Sequence, residues 1–189
     1  MTGLLLAAGG GRRMGNRPKA LLPYRGRPMV EHALAVLRAG GCARVRVVLG
    51  AEAARVLATA ELGDADVVLN PDWETGMGSS LRAGLTGLTA GAALIGLVDT
   101  PGVTAAAVAR VLASGAGLAA ASYDGERGHP VLIAARYFEE ARRGAVGDAG
   151  ARTLLRAHAG ELRLVECADV ASPEDVDTPE QLARLQGLE

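Results

Sequence analysis

"GLLLAAGGGRRMGNRPKALLPYRGRPMVEHALAVLRA", residues 3–39, opens on an unbroken apolar run that stops at three glycines. A short continuous apolar run bounded by turn residues reads as a strand buried on both faces, the usual state of a strand in a parallel sheet. Residues 28–39 then read as a helix, with Pro28 in its first turn and Gly40-Gly41 ending it. Strand, glycines, long polar loop and helix make the first half of a β-α-β unit.

The pattern repeats along the chain. "RVRVVLG" (44–50), "ADVVLN" (65–70) and "AALIGLV" (92–98) read as further strands, followed by "GLAAAS" (117–122), "PVLIA" (130–134) and "ELRLVEC" (161–167). Helices are expected over 51–61, 79–88, 104–114, 135–143 and 149–158, with a last one in "TPEQLARLQ". Alternating strands and helices predict an α/β fold, three layers deep, around a mainly parallel, doubly wound sheet. No repeat, low-complexity tract or linker interrupts it, so residues 1–189 are expected to form one domain. In such sheets ligands sit at the carboxyl ends of the strands. Three polar loops fall there: 9–27, 70–80 and 99–102.

Composition narrows the function. Aromatic residues make up 3% of the chain and the formal net charge is −1, so neither a basic field nor a stacking platform for nucleic acid is present. Cys42 and Cys167 are far apart and lack a CxxC pattern, and His32, His129 and His158 have no metal-ligand spacing. Two buried free thiols are expected. The apolar start is too short to span a membrane and has no basic residue before it, so a cytoplasmic location is expected.

The first loop runs from Gly9 to Arg27, long for a strand-to-helix connection. It carries Lys19, the single lysine among twenty basic residues. Glycine backbones let an anion approach closely. The spacing is neither a Walker loop, since Asn16 and Arg17 follow Gly15, nor a dinucleotide fingerprint, since Met14 stands at the third glycine. A compact ammonium can bridge phosphate oxygens as a point charge, where a guanidinium needs a forked partner. Taken alone, Lys19 reads equally as a phosphate-handling group and as a solvated loop lysine. Asp99, in "LVDTPGV", ends a strand before a turn. Asp177, in "VDTPEQL", precedes Thr178 and Pro179, which suit an N-cap and a first helical position.

The order Leu6-Ala7-Ala8-Gly9, Arg13-Met14-Gly15 and Pro18-Lys19 resembles the signature of nucleotidyltransferases with a glycosyltransferase-A-like, nucleotide-diphospho-sugar transferase fold. Gly11 departs from it, because Ser or Thr is usual there. "NPDWETGMGSSL" (70–81), "RGHPV" (127–131) and "GDAGAR" (147–152) resemble segments of the molybdenum cofactor cytidylyltransferases within the wider MobA-like family. The resemblance implies that Leu6, Ala7, Ala8, Gly9, Gly10, Gly11, Arg13, Lys19, Gly78, Ser79 and Ser80 surround a nucleoside triphosphate. It places His129, Asp148 and Arg152 on the acceptor side. Asp99 and Asp177 would ligate Mg²⁺, and Arg13, Lys19 and Asp99 would carry the catalysis.

The implied reaction moves CMP from CTP to the phosphate of a molybdopterin-type cofactor, with release of pyrophosphate. A target molybdoenzyme or its chaperone is a further expected partner; nucleic acid and membrane are not. "VDTPGV" departs from the commoner G-D-Q-P-[LM]-[VI] at Thr100 and Gly102, on the acceptor side. Guanylyl transfer to the same cofactor, nucleotide transfer to a sugar phosphate and a non-catalytic maturation chaperone remain alternatives.

Overall fold

The computed structural model describes residues 1–11, 14–15 and 17–185. Its centre is β1 (Thr2–Ala7), whose period-two alternation sends Leu4 and Leu6 to one face of the sheet and Leu5 and Ala7 to the other. Both faces are buried, as the continuous apolar run requires. β4 (Arg44–Leu49) and β6 (Ala92–Leu97) flank β1 in parallel register, and β5 (Asp66–Leu69) pairs with β4. The order across the sheet is β5-β4-β1-β6, followed by β8 (Glu126–Ala134), β7 (Leu118–Tyr123) and β9 (Arg163–Glu166). β8 is antiparallel to β6 and to β7, while β9 is parallel to β7.

Helices cover both faces. α1 (Met29–Ala39) buries Met29, Val30, Leu34 and Leu37, and α4 (Ala105–Leu112) buries Ala107, Val108 and Val111 in the same layer. Thr104 caps α4, its hydroxyl accepting the Ala107 N–H at 3.3 Å. The two helices approach closely at Gly40, where a Cβ would stand 2.2 Å from Val108 Cγ1. α3 (Met77–Leu85), α5 (Phe138–Gly144) and α6 (Arg152–Ala157) form the opposite layer through Leu81, Leu85, Phe138, Leu154 and Leu155. α2 (Ala53–Thr59) and α7 (Pro179–Leu185) complete the first layer. Among the described residues no helix is long and apolar enough to cross a membrane. Cys42 and Cys167 are buried and free.

The chain lays β4 and β5 on one side of β1 and then crosses to place β6 on the other. The carboxyl ends of β1 and β6 therefore flank the switch point of the sheet, where a crevice must open.

Several local readings change. The loop after β1 is not featureless: it holds a 3₁₀ turn at Lys19–Leu21 and a small ribbon, β2 (Pro23–Tyr24) with β3 (Arg27–Pro28). Arg25 and Gly26 both take positive φ at the ribbon tip, the conformation of a tight hairpin turn. Pro28 precedes α1 rather than sitting inside it. The sixth strand starts at Glu126, because Asp124-Gly125 makes a second such turn and folds β8 back on β7. The helix expected at 149–158 shortens to Arg152–Ala157, since Gly150 adopts φ +52°.

Candidate active site

A cleft of about 310 Å³ lies over the ends of β1 and β6. Leu6, Ala8, Gly9 and Gly10 line it from β1, and Leu97, Val98 and Asp99 from β6. Lys19 enters from the 3₁₀ turn. Trp73, Glu74, Gly76, Met77 and Ser80 close the far side, with Asp148. Trp73 packs directly on the glycine loop: a Cβ on Gly10 would stand 2.9 Å from its ring, and one on Gly50 2.5 Å from its Cβ. The wall is indole on bare backbone, and a side chain at either glycine would push it into the cleft.

Lys19 is the electrostatic centre. Its Nζ donates to Asp99 Oδ2 at 2.7 Å and to Asp177 Oδ1 at 2.5 Å, joining positions 158 residues apart in the chain. The lysine side chain is 14% exposed. Burial works against its charge, but the carboxylates of Asp99 and Asp177 outweigh that and hold the ammonium above its ordinary pKa.

The C-terminal segment reaches this point by backbone pairing. The Val176 N–H donates to Asp99 O at 2.8 Å, and the Val176 side chain is fully buried. Asp177 is then presented by a capping box. Gln181 Oε1 accepts the N–H groups of Asp177 (2.8 Å) and Thr178 (2.9 Å), while Thr178 Oγ1 accepts the Gln181 N–H at 3.3 Å. T-x-x-Q before a helix is a readable signal, and Gln181 is a residue the motif reading passed over.

The donor set fits a hard divalent ion. Two carboxylates converge on one cationic group, and an ion that keeps water and phosphate oxygens in its shell needs few protein ligands. Among the described residues no group of three or more His, Cys, Asp or Glu side chains could hold a metal.

A second cavity of about 280 Å³ adjoins the first and shares Met77, Leu97 and Asp148 with it. Arg127, Gly128 and His129 line it from β8, and Arg152 from the start of α6. Arg152 makes no ion pair with Asp148, and neither Arg127 nor Arg152 pairs with a carboxylate among the described residues. Burial pushes the His129 imidazole down to about 4, so it stands neutral at neutral pH. A neutral ring positions a ligand through a hydrogen bond and adds no charge.

The expected site residues separate into groups. Leu6, Ala8, Gly9, Gly10, Lys19, Ser80, Asp99 and Asp148 meet at the cleft, with Asp177 behind Lys19. His129 and Arg152, with Asp148, meet at the second cavity. Ala7, Gly11, Gly78 and Ser79 do not line the cleft. Ala7 points into the α1 layer. Gly11 has φ +59°, and a Cβ there would lie 2.0 Å from Arg17 O, so the side chain usual at this position cannot be accommodated in this loop. Gly78 lets α3 close on the 145–147 backbone, 2.6 Å from where its Cβ would be. Ser79 is a brace: Asn70 Nδ2 donates to Ser79 Oγ at 2.8 Å and to Ser80 Oγ at 3.0 Å, and Ser79 Oγ donates to Gly76 O at 2.9 Å. The carbonyls of Leu6 and Ala8 already accept the N–H groups of Val98 and Ala51. Arg13 lies outside the described residues.

Similarity to known proteins matches this geometry. Residues 3–162 match the MobA-like NTP transferase domain. Nicotine blue oxidoreductase of Paenarthrobacter nicotinovorans is 44% identical, over 98% of this chain and 96% of its own length. Among solved structures, the homologue of Mycobacterium tuberculosis Rv0371c from Mycobacterium sp. strain JC1 is 36% identical and superposes with a TM-score of 0.86, covering 100% of this chain and 98% of its own. Rv0371c of M. tuberculosis in complex with manganese is 31% identical, with a TM-score of 0.81 over 98% and 97% of the two chains. The family match over residues 3–162 and the 44% identity over 98% of the chain make the chain a member of the MobA-like NTP transferase family.

Proposed function

We propose that the chain transfers a nucleotidyl group from a nucleoside triphosphate to a phosphate monoester, with CTP as donor and a molybdopterin-type cofactor as acceptor. The observation that carries this reading is the meeting of Lys19, Asp99 and Asp177 beside a glycine-lined cleft, next to a second cavity with two arginines unpaired among the described residues. The triphosphate would lie over Gly9, where a Cβ would meet nothing within 4 Å, beside the Trp73 ring that covers Gly10. Its α-phosphate would face the second cavity across Met77 and Asp148. There Arg127 and Arg152 would hold the acceptor phosphate, which is ionised near neutral pH and needs no strong base.

One acceptor oxygen bonds to the α-phosphorus as the bond to the α–β bridging oxygen breaks, and pyrophosphate leaves with that electron pair. The ammonium of Lys19 stabilises the charge gathering on the phosphate oxygens. Asp99 and Asp177 would hold Mg²⁺, which when bound supplies further neutralisation of the same oxygens. Position and electrostatics do most of the work.

Pyrophosphate release with each of the four nucleoside triphosphates, with and without the cofactor, tests the proposal. CTP with cofactor should give turnover, and Lys19→Ala should lose on the order of 2–4 kcal/mol of transition-state stabilisation. Asp99→Asn should fold normally and lose the response to Mg²⁺. Full activity in Lys19→Ala would remove the phosphate role.

A second reading is favoured by one observation, the 44% identity to a protein named as an oxidoreductase. Under it, the same cleft would hold the pyrophosphate of an electron-carrying dinucleotide. Oxidation of NADH or NADPH with a reducible dye supplied as electron acceptor, in the absence of any triphosphate, separates the two, because nucleotidyl transfer consumes no reductant.

A further inference from the structure

α6 is short for the task it is given. Six residues, Arg152–Ala157, carry Arg152 to the wall of the second cavity. A helix of that length does not hold itself together. Its first turn has no side-chain cap, and Gly150 at φ +52° stands just before it. Its buried residues are Leu154 and Leu155. With no ion pair to hold it among the described residues, the exposed Arg152 takes its direction from the helix.

The far end of α6 is fastened. His158, its C-cap, lies between two carboxylates: Nδ1 is 2.8 Å from Glu161 Oε1, and Nε2 is 2.9 Å from Glu140 Oε2. Glu140 belongs to α5, so the ring joins the two helices. The Tyr137 hydroxyl donates to Glu161 Oε2 at 2.7 Å, its ring meets the imidazole edge-on, and Arg136 stands over the Tyr137 ring. Glu139, the neighbouring acid of α5, is taken up by Arg142 and Arg143. A neutral imidazole has one N–H and one lone pair, so it cannot donate to both carboxylates; the two contacts together require imidazolium. Glu161 and Glu140 hold the His158 ring above its ordinary 6.5, whereas burial holds His32 and His129 below it.

We propose that His158 is a positioning residue: as an imidazolium bridging Glu140 and Glu161 it fixes the tilt of α6, and so holds Arg152 where an anion entering the second cavity meets it. Arg152 and His158 stand at opposite ends of the helix, about 9 Å apart along its axis. When the ring loses its proton, one carboxylate faces a lone pair and the bridge opens on that side. α6 is then left to pivot on Leu154 and Leu155, with Gly150 as the hinge. A group whose folded pKa is raised contributes fully below its unfolded value and ceases to as pH rises through the folded one. The bridge is therefore complete below about pH 6.5 and lost on the alkaline side. Anion affinity in the second cavity should fall over that interval, although the titrating ring does not line it. The proposal rests on the transfer reading only in taking this cavity as an anion site.

Sulfate is the probe, because it stays a dianion throughout the range in which histidine titrates. Methyl resonances of Val131 and Leu155, which line the second cavity and not the first, follow its binding to the whole protein. Wild-type affinity should fall about two- to fivefold between about pH 6 and pH 8.5, the span of one partly exposed ion pair. His158→Ala should show the lower affinity at both ends of that range. Glu140→Gln should keep the higher affinity at both ends. There the amide N–H donates to the bare ring nitrogen while Glu161 accepts the remaining N–H, so the bridge no longer needs the proton. In an Arg152→Ala background, neither His158→Ala nor pH should change the residual binding. A wild-type affinity that does not vary with pH overturns the proposal. So does a pH dependence that persists in Glu140→Gln, or an effect of His158→Ala that survives Arg152→Ala, since either would show a charge felt at a distance or a general loosening. Failure of the transfer reading looks different: no triphosphate would yield pyrophosphate, while the sulfate titration would still show the pH dependence.

Discussion

Gln181 touches neither cleft nor cation, yet its removal should weaken metal binding. Its carboxamide oxygen accepts two backbone N–H groups, those of Asp177 and Thr178, and so fixes the direction in which Asp177 leaves the chain. A neutral hydrogen bond of this kind is worth about 0.5–1.5 kcal/mol net, so Gln181→Ala gives up about 1–3 kcal/mol. The loss falls on a helix of seven residues, Pro179–Leu185, which is too short to hold itself together without its cap and its packing. It should therefore appear as local opening at the start of α7, with the sheet untouched. At about 1.4 kcal/mol per factor of ten, the population with Asp177 correctly aimed falls by roughly five- to a hundred-fold relative to open forms. Two measurements read this. Hydrogen exchange of the 176–182 amides should speed up by that factor, and Mn²⁺ affinity should fall while the midpoint of thermal unfolding hardly moves. Faster exchange with an unchanged Mn²⁺ affinity would show that the cap does not aim Asp177, and the reasoning would be refuted.

Gly11→Ser, which restores the hydroxyl common at this position, should lower stability and nucleotide affinity together. A side chain at φ +59° costs about 1–2 kcal/mol, and its Cβ would meet Arg17 O at 2.0 Å; a thermal melt no lower than wild type would contradict this. Ala8→Gly removes a methyl from the cleft wall and should shift selectivity from CTP towards GTP by about 1–3 kcal/mol, read by competitive binding; a wild type that prefers GTP would sink the cytidylyl assignment. Glu166 tests acid stability. Donation from the Ala168 amide, the Ser122 hydroxyl and the amides of Gly125 and Asp124 outweighs burial and holds its carboxyl down at about 2, below the ordinary 4.5. A depressed carboxylate contributes stability above its unfolded pKa and loses it as pH falls through the folded value. Urea midpoints of the wild type should therefore drop between about pH 4.5 and pH 2 more steeply than those of Glu166→Gln.

Much of this was legible from residue order because it follows from periodicity. The apolar run at 4–8, short and ended by glycines, reads as a doubly buried strand, and those glycines with Asp99 at the end of another strand pointed to one crevice. What escaped were effects that depend on partners distant in the chain. Ser79 reads as a ligand residue until Asn70 is seen to hold its hydroxyl. Gly78 reads as part of a loop for a ligand until the backbone at 145–147 is found against it. The ribbon at 23–28 has two residues per strand, below the length at which alternation carries information. The antiparallel placement of β8 turned on two residues, Asp124-Gly125, which mark a hairpin but do not say which sheet neighbour the returning strand will take.

The clasp between Lys19 and Asp177 has a consequence for synthesis. β9 ends at Glu166, so a ribosome has delivered every strand of the sheet before the second carboxylate has been made. During that interval the nascent chain can carry a formed glycine loop and Asp99 while Lys19 still waits for its farther partner. The site is therefore completed after the sheet, by a segment translated after every strand, and a product truncated at residue 170 would own the whole sheet and be unable to complete the clasp.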